Sequence, residues 1–453
     1  MVAAEYASGV RGWLGPGGLR GLQNRWRVAQ RAAVGSTPIH SRLVVREGNV
    51  MEGQAALDFR QHVLLDAVET VMDVRAVTAG SPGDGFQIRF SGTLQADTQA
   101  AFAELQPTFK AEGMTLFFRE HDGEHHVLGV PGVVQPQPSR RIVNLVLLIL
   151  TLFSMLFSGA LSVYQGPVDV PFGQVVIDVL RSLDEGIPFA ISLLAILVAH
   201  EFGHYIAARR HGTAVTLPYF IPFPGSPFGT MGAFIQLKEP PRNKRVLLDI
   251  GIAGPLAGLV VAIPVLLIGL ARSSVEVLPA VIPVGSGQVL EGNSILYLAA
   301  KYLAKGELLP MPASYGGVQP VVYWIRYLFS GRPLPLGGRD ILLDPVAWAG
   351  WAGLLVTSLN LIPAGQLDGG HVLYVLFGKR ARIVWPVIFL LLLLLGMAWP
   401  GWYLWAGLIF LLGRRFAQPL DDVTPLDPGR RALAIFGLIV AVLVFIPVPL
   451  IAF

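Results

Sequence analysis

The chain has 453 residues, 53% of them hydrophobic and only 14% charged, whereas soluble domains carry about 25% charged residues. With its positive mean hydropathy, that arithmetic excludes an ordinary soluble enzyme and points to a helical chain solvated largely by lipid. A formal charge of +4 gives no ground for a nucleic-acid partner, and the absence of Cys leaves only His, Asp and Glu to hold a metal.

Residues 1–43 carry Arg11, Arg20, Arg25, Arg27 and Arg31 among glycines and lack the apolar core of a secretory signal, so a flexible basic tail is expected. Residues 53–130 have the composition of a small soluble α+β domain. Leu64, Val68 and Val71 follow the helical period, and Phe86, Ile88 and Phe90 alternate as in a half-buried strand. Phe102, Leu105 and Phe109 suggest a second helix that Pro107 should limit. Met114–Arg119 reads as a strand, followed by a hairpin turn at Asp122–Gly123. The neighbouring His121, Asp122, Glu124, His125 and His126 read as solvated turn residues rather than as a metal site.

After a linker at 131–141 the chain becomes apolar, and 142–450 is expected to form one membrane-embedded domain. Spans are predicted at 142–163, 187–208, 247–271, 344–363, 383–398, 401–414 and 432–450, about seven crossings near the ~20 residues each requires. Pro400–Gly401 divides the long apolar run 383–413 into a hairpin. With Arg140 and Arg141 on the cytoplasmic side, Arg209/Arg210, Arg242/Lys244/Arg245, Lys379/Arg380/Arg382, Arg414/Arg415 and Arg430/Arg431 fall there too. The acidic stretch 164–186 then lies outside, and Arg272 is the exception. This predicts a multi-pass protein of the cell membrane with its N-terminal domain in the cytoplasm.

The second span contains His200, Glu201 and His204. Positions i and i+4 project from one helical face, so both imidazoles can reach one ion, and Glu201 can take a proton from water at the open position. Ionisable groups this deep in an apolar segment are functional by default. A candidate third ligand lies in TSLNLIPAGQLDGGH, where the span should break at Pro363 and leave Asp368 at the depth of the two imidazoles. His371 competes for that role, while Asp368 can alternatively cap the next helix. Asn360 either donates to a developing oxyanion or satisfies a carbonyl freed by Pro363. His211, beside Gly212, reads as a helix cap.

HEFGH (200–204) and NLIPAGQLDGGH (360–371), with AGPLAG (253–258) between them and GSPFGTMGAFIQLKEPPRNKR (225–245), resemble the site-2 protease family of intramembrane zinc metalloproteases. Similarity is greatest to the chloroplast and cyanobacterial-type branch with a soluble N-terminal domain. The resemblance implies one zinc ion per chain on His200, His204 and Asp368, Glu201 as general base, and Asn360 assisting beside the metal. A departure is Asp344, where related members often carry His; a local effect is expected.

The expected fold is thus a polytopic α-helical membrane protein with helices broken around a zinc site. The expected function is regulated intramembrane proteolysis: cleavage of transmembrane segments of membrane proteins, with or without prior cutting by another protease. A substrate helix must unwind before cleavage, and a re-entrant, hairpin-like loop at 215–236 can offer the edge of Gly232, Ala233 and Phe234 to the extended peptide. The same loop can equally be interfacial with no substrate role. Alternatives from other classes are a metal-ion transporter and a catalytically silent zinc-bound scaffold. The oligomeric state is not legible in the sequence.

Overall fold

The computed structural model describes residues 42–43, 58–81, 83–167, 170–281, 289–413 and 416–452. The expected basic tail up to Ser41, Asp169 and the pair Arg414/Arg415 lie outside the described residues.

Helix α1 (Phe59–Glu69) opens with a capping box: Asp58 accepts from the Gln61 amide while the Gln61 side chain returns to the Asp58 N–H. Strands β1 (Arg42–Leu43), β2 (Met72–Ala79), β3 (Ile88–Leu94), β4 (Met114–His121) and β5 (Glu124–Pro131) form an antiparallel sheet in the order β1-β2-β3-β5-β4. Together with α1, α2 (Thr98–Ala111) buries Leu64, Val68, Phe90, Phe102, Phe109 and Phe118 against it. Contrary to expectation, α2 continues through Pro107. Only one ladder donor is lost there, and continuing the helix seats Phe109, which is fully buried.

The turn after β4 uses positive φ at Asp122 (52°) and Gly123 (78°). Its polar neighbours have separate partners. The Leu94 amide donates to His125 Nδ1 at 3.0 Å, Ser91 Oγ lies 2.8 Å from His126 Nδ1, and Arg75 pairs with Glu124 at 3.3 Å. Burial, assisted by the Arg89 charge, pushes His126 down to about 4.

The free edge of β4 is covered by the distant segment 420–422. The Phe118 N–H donates to the Leu420 carbonyl at 3.0 Å, and the Asp422 N–H to the Phe118 carbonyl at 3.1 Å. Leu420 and Asp421 also donate to the Pro241 and Arg242 carbonyls, which ties the sheet to the helical part of the chain.

That part comprises α3 (Arg141–Ser162), α4 (Phe172–Arg181), α5 (Ile187–Arg210), the hairpin β6 (Tyr219–Pro222) and β7 (Thr230–Phe234), and α6 (Lys244–Arg272). An outer segment follows, with β8 (Ser274–Val277), β9 (Val289–Glu291), α7 (Ile295–Lys305), α8 (Pro320–Ser330) and β10 (Arg339–Leu342). The remainder is α9 (Pro345–Asn360), α10 (Asp368–Phe377), α11 (Ala381–Leu395), α12 (Gly401–Leu412), α13 (Pro428–Val444) and β11 (Leu450–Ala452). Strands β8 and β10 pair, as do β9 and β11.

Among the described residues three helical stretches are long and apolar enough to cross a bilayer: Arg141–Ser162, Leu183–Arg210 and Lys244–Arg272. They give the chain the build of a mostly helical integral membrane protein. The expected count of about seven is not reached on length. The span expected at 344–363 is a helix of 16 residues, and those at 383–398, 401–414 and 432–450 become helices of 15, 12 and 17 residues. Sixteen residues rise only about 24 Å. The apolar runs continue past the helices, but breaks at 361–367 and 396–400 and the prolines at 447 and 449 end the helical geometry first.

At the centre, α5, α6 and α9 pack through small residues. A Cβ on Gly203 would stand 2.5 Å from the Ala253 carbonyl oxygen, and one on Gly350 would stand 2.6 Å from Leu266 Cα. Leu193, Ile196, Leu197, Leu266, Trp351 and Leu354 fill the interior. Arg272, the exception in the charge pattern, pairs with Asp344 at 3.0 Å, and Asp344 also caps α9 by accepting from the Val346 amide.

Candidate metal centre

His200 and His204 lie one turn apart on α5, both buried. Their Nε2 atoms are 3.3 Å apart. On His204, Nδ1 is 2.6 Å from the Ile250 carbonyl oxygen. A carbonyl only accepts, so Nδ1 carries the proton and Nε2 presents a lone pair inward.

Asp368 is the first residue of α10. Asn360 ends α9, and the seven residues between the two helices reverse the chain tightly. A Cβ on Gly369 would fall 2.0 Å from the Leu361 carbonyl oxygen, and one on Gly370 would fall 2.4 Å from that of Gly365. Only glycine permits this return. It sets Asp368 Oδ2 at 3.4 Å from both His200 Nε2 and His204 Nε2.

All three donor atoms lie within 4.8 Å of one another. Three electron-rich atoms aimed at one point repel unless a cation or protons sit among them. Two imidazole nitrogens and one carboxylate oxygen suit tetrahedral zinc with a fourth position open. The donor set therefore fits that ion.

Glu201, next to His200 on α5, is buried, and its carboxylate meets the Ile235 backbone just beyond β7. Asn360 Nδ2 lies 3.3 Å from His200 Nε2. Gly232, Ala233 and Phe234 form the end of β7, half-buried, with β6 on one side. His371 is not among the three grouped donors. It sits one turn into α10, its buried Nδ1 without a hydrogen-bond partner and its Cβ facing Gly251. His211 terminates α5 and lies 2.9 Å from Asp249, which also accepts from Arg430 at 2.6 Å.

Gly254 and Gly258 also shape the site, although the sequence pattern around them marks no chemistry. On α6 they repeat with the same four-residue spacing as the two histidines of α5. A Cβ on Gly254 would stand 2.0 Å from His204 Nε2, and one on Gly258 would stand 3.1 Å from His200 Nδ1. The matching spacing of GxxxG and HxxxH is the signal that could have paired the two helices.

Residues 188–395 match the family model described as Peptidase family M50. "Probable zinc metalloprotease EGY1, chloroplastic" of Oryza sativa subsp. japonica is 29% identical over 402 residues, covering 81% of this chain and 63% of the relative. "Probable zinc metalloprotease EGY2, chloroplastic" of Arabidopsis thaliana is 32% identical over 276 residues, 60% of this chain and 44% of the relative. The chain thus spans less than two thirds of the length of these curated relatives. No solved structure matches. HExxH on a buried helix, a downstream aspartate at the same point, the Peptidase family M50 match over residues 188–395 and these two probable zinc metalloprotease relatives together make this part of the chain similar to the site-2 protease family.

Proposed function

We propose that the chain is an intramembrane zinc metalloendopeptidase that cuts transmembrane segments of other membrane proteins. The observation that carries this reading is the grouping of two imidazole nitrogens and one carboxylate oxygen within 4.8 Å, beside a buried glutamate. His200, His204 and Asp368 would hold one zinc ion. When bound, zinc supplies Lewis acidity, which acidifies water and polarises a peptide carbonyl.

Glu201 takes a proton from the attacking water and delivers it to the amine nitrogen as the C–N bond breaks, so its carboxylate is regenerated in each turnover. The Asn360 amide donates to charge developing on the carbonyl oxygen. A substrate helix hides its backbone in i→i−4 bonds and must be extended first. The edge of β7 at Gly232–Phe234 receives the extended strand, and the adjoining Glu201 then faces its backbone.

In this reading α9, α11, α12 and α13 complete seven crossings with α3, α5 and α6; the chain breaks after α9 and α13 are mostly buried against protein, and the exposed turn at 397–400 lies at the membrane surface. Residues 53–130 form a soluble cytoplasmic domain, 131–141 a linker, and 142–450 the protease domain of a cell-membrane protein. Basic flanks place the opening to the metal on the cytoplasmic side.

The test is cleavage of a labelled single-span protein by the purified chain in proteoliposomes. Cutting within the apolar segment should stop on zinc chelation and return when zinc is restored. Cleavage indifferent to chelation, or zinc flux without cleavage, would contradict the reading.

A further inference from the structure

Between α6 and α9 the chain builds a subdomain that buries a charged cluster among core residues such as Tyr297, Leu309 and Ile341. Lys301 on α7 is fully buried, with Nζ 2.9 Å from Glu291 Oε1 and 3.4 Å from Asp340 Oδ1, and the Tyr297 hydroxyl donates to the same glutamate at 3.0 Å.

The outward faces of its two helices are apolar. At 100° per residue, Val321, Ile325 and Phe329 share one stripe of α8. These three side chains are 68%, 53% and 54% exposed, while Tyr323 and Tyr327 on the opposite side are buried. On α7 the outward residues are Ile295, Tyr302 and Leu303, the last 76% exposed, while Lys301 points inward. Arg326 is the only exposed charged side chain among the described residues of these two helices. A soluble subdomain has the opposite arrangement.

The covering is indicated by what the subdomain is joined to. Helix α7 packs against α6 and α13, β9 pairs with the strand that follows α13, and β10 leads directly into α9. Neighbouring outward faces are also apolar: Ile268 on α6 is 59% exposed and Val442 on α13 is 64% exposed. The stripe on α7 thus continues a surface belonging to the helices of the bundle, and α8 is tied to the same subdomain by the Asn293 side-chain amide, which donates to the Tyr327 hydroxyl at 2.6 Å.

We propose that the 289–342 subdomain rests in the acyl–headgroup boundary of the bilayer, with the outward faces of α7 and α8 covered by lipid and Lys301, Glu291 and Asp340 sequestered beneath. Short helices with one apolar face lie in this zone, and charges near it persist when paired. The proposal depends on the membrane placement of α5 and α6, not on proteolysis.

The chain contains no Cys, so single-cysteine variants of the full protein can be labelled selectively. I325C and F329C, with E276C on the exposed part of β8 as reference, are labelled with an environment-sensitive fluorophore in phosphatidylcholine vesicles. Nitroxide attached to lipid acyl chains should quench Ile325→Cys and Phe329→Cys at least ~3-fold more than the reference, with blue-shifted emission, as an immersed face requires. Equal quenching at all three positions by a water-soluble nickel chelate would overturn the proposal. Protection from both quenchers would overturn it too, because a second copy or another protein would then cover the face. V321C reads the same stripe should either variant fail to reconstitute.

Discussion

Glu201→Gln is expected to abolish peptide cleavage while leaving the zinc content at one ion per chain. Glutamine keeps the size and hydrogen-bonding shape of glutamate but cannot take a proton at neutral pH. The three donor atoms belong to His200, His204 and Asp368, so the substitution leaves them in place. Losing a positioned general base costs about 10²–10⁴ in rate, and here the same group must also protonate the leaving amine. Metal analysis and reporter cleavage on one preparation separate the two effects. Retained activity with full zinc would remove Glu201 from the chemistry. Lost zinc would make it a structural partner of the ligands.

Gly254→Ala should unseat the metal without touching a ligand. The added methyl would stand 2.0 Å from His204 Nε2 and 2.3 Å from Cδ2. The imidazole cannot simply swing aside, because its other nitrogen is fixed 2.6 Å from the Ile250 carbonyl oxygen. Moving α5 and α6 apart to admit the methyl would open the close packing where Gly203 approaches the Ala253 carbonyl. Misplacing one of three ligands is expected to weaken zinc binding by ~10–100-fold or more, the scale seen when groups that orient a ligand are removed. Gly258→Ala, whose Cβ would sit 3.1 Å from His200 Nδ1, should give a smaller loss. Chelator competition on both variants, with melting temperatures to verify folding, measures the gradation. Wild-type affinity in Gly254→Ala would mean that His204 binds no metal in this pose.

Local periodicity carries much of this architecture. HExxH fixes His200 and His204 on one face of α5 because the helical repeat does, and the turn at Asp122–Gly123 follows from residues that tolerate positive φ. What local periodicity cannot convey is where two distant segments meet. The 3.4 Å approach of Asp368 to both imidazoles depends on the tight return through Gly369 and Gly370 and on the fit of α5 against Gly254 and Gly258.

Strand β2 has no clear alternation in its sequence for a local reason: the register shifts between Val74 and Ala76, so its buried positions do not alternate evenly. The pairing of 420–422 with β4 has no signature in either segment alone. Hydropathy also counts apolar length, not helical length. It reads 344–363 as one crossing although the helix ends at Asn360, three residues before Pro363.

The most direct test of the metal centre is zinc X-ray absorption on the detergent-purified chain, paired with metal analysis of Asp368→Ala. One zinc per chain is expected, in an oxygen/nitrogen shell at ~2.0–2.1 Å containing two imidazoles and no sulfur, with substantial zinc loss in the variant. A shell with a single imidazole, or zinc retained undiminished with the same spectrum in Asp368→Ala, would contradict this expectation.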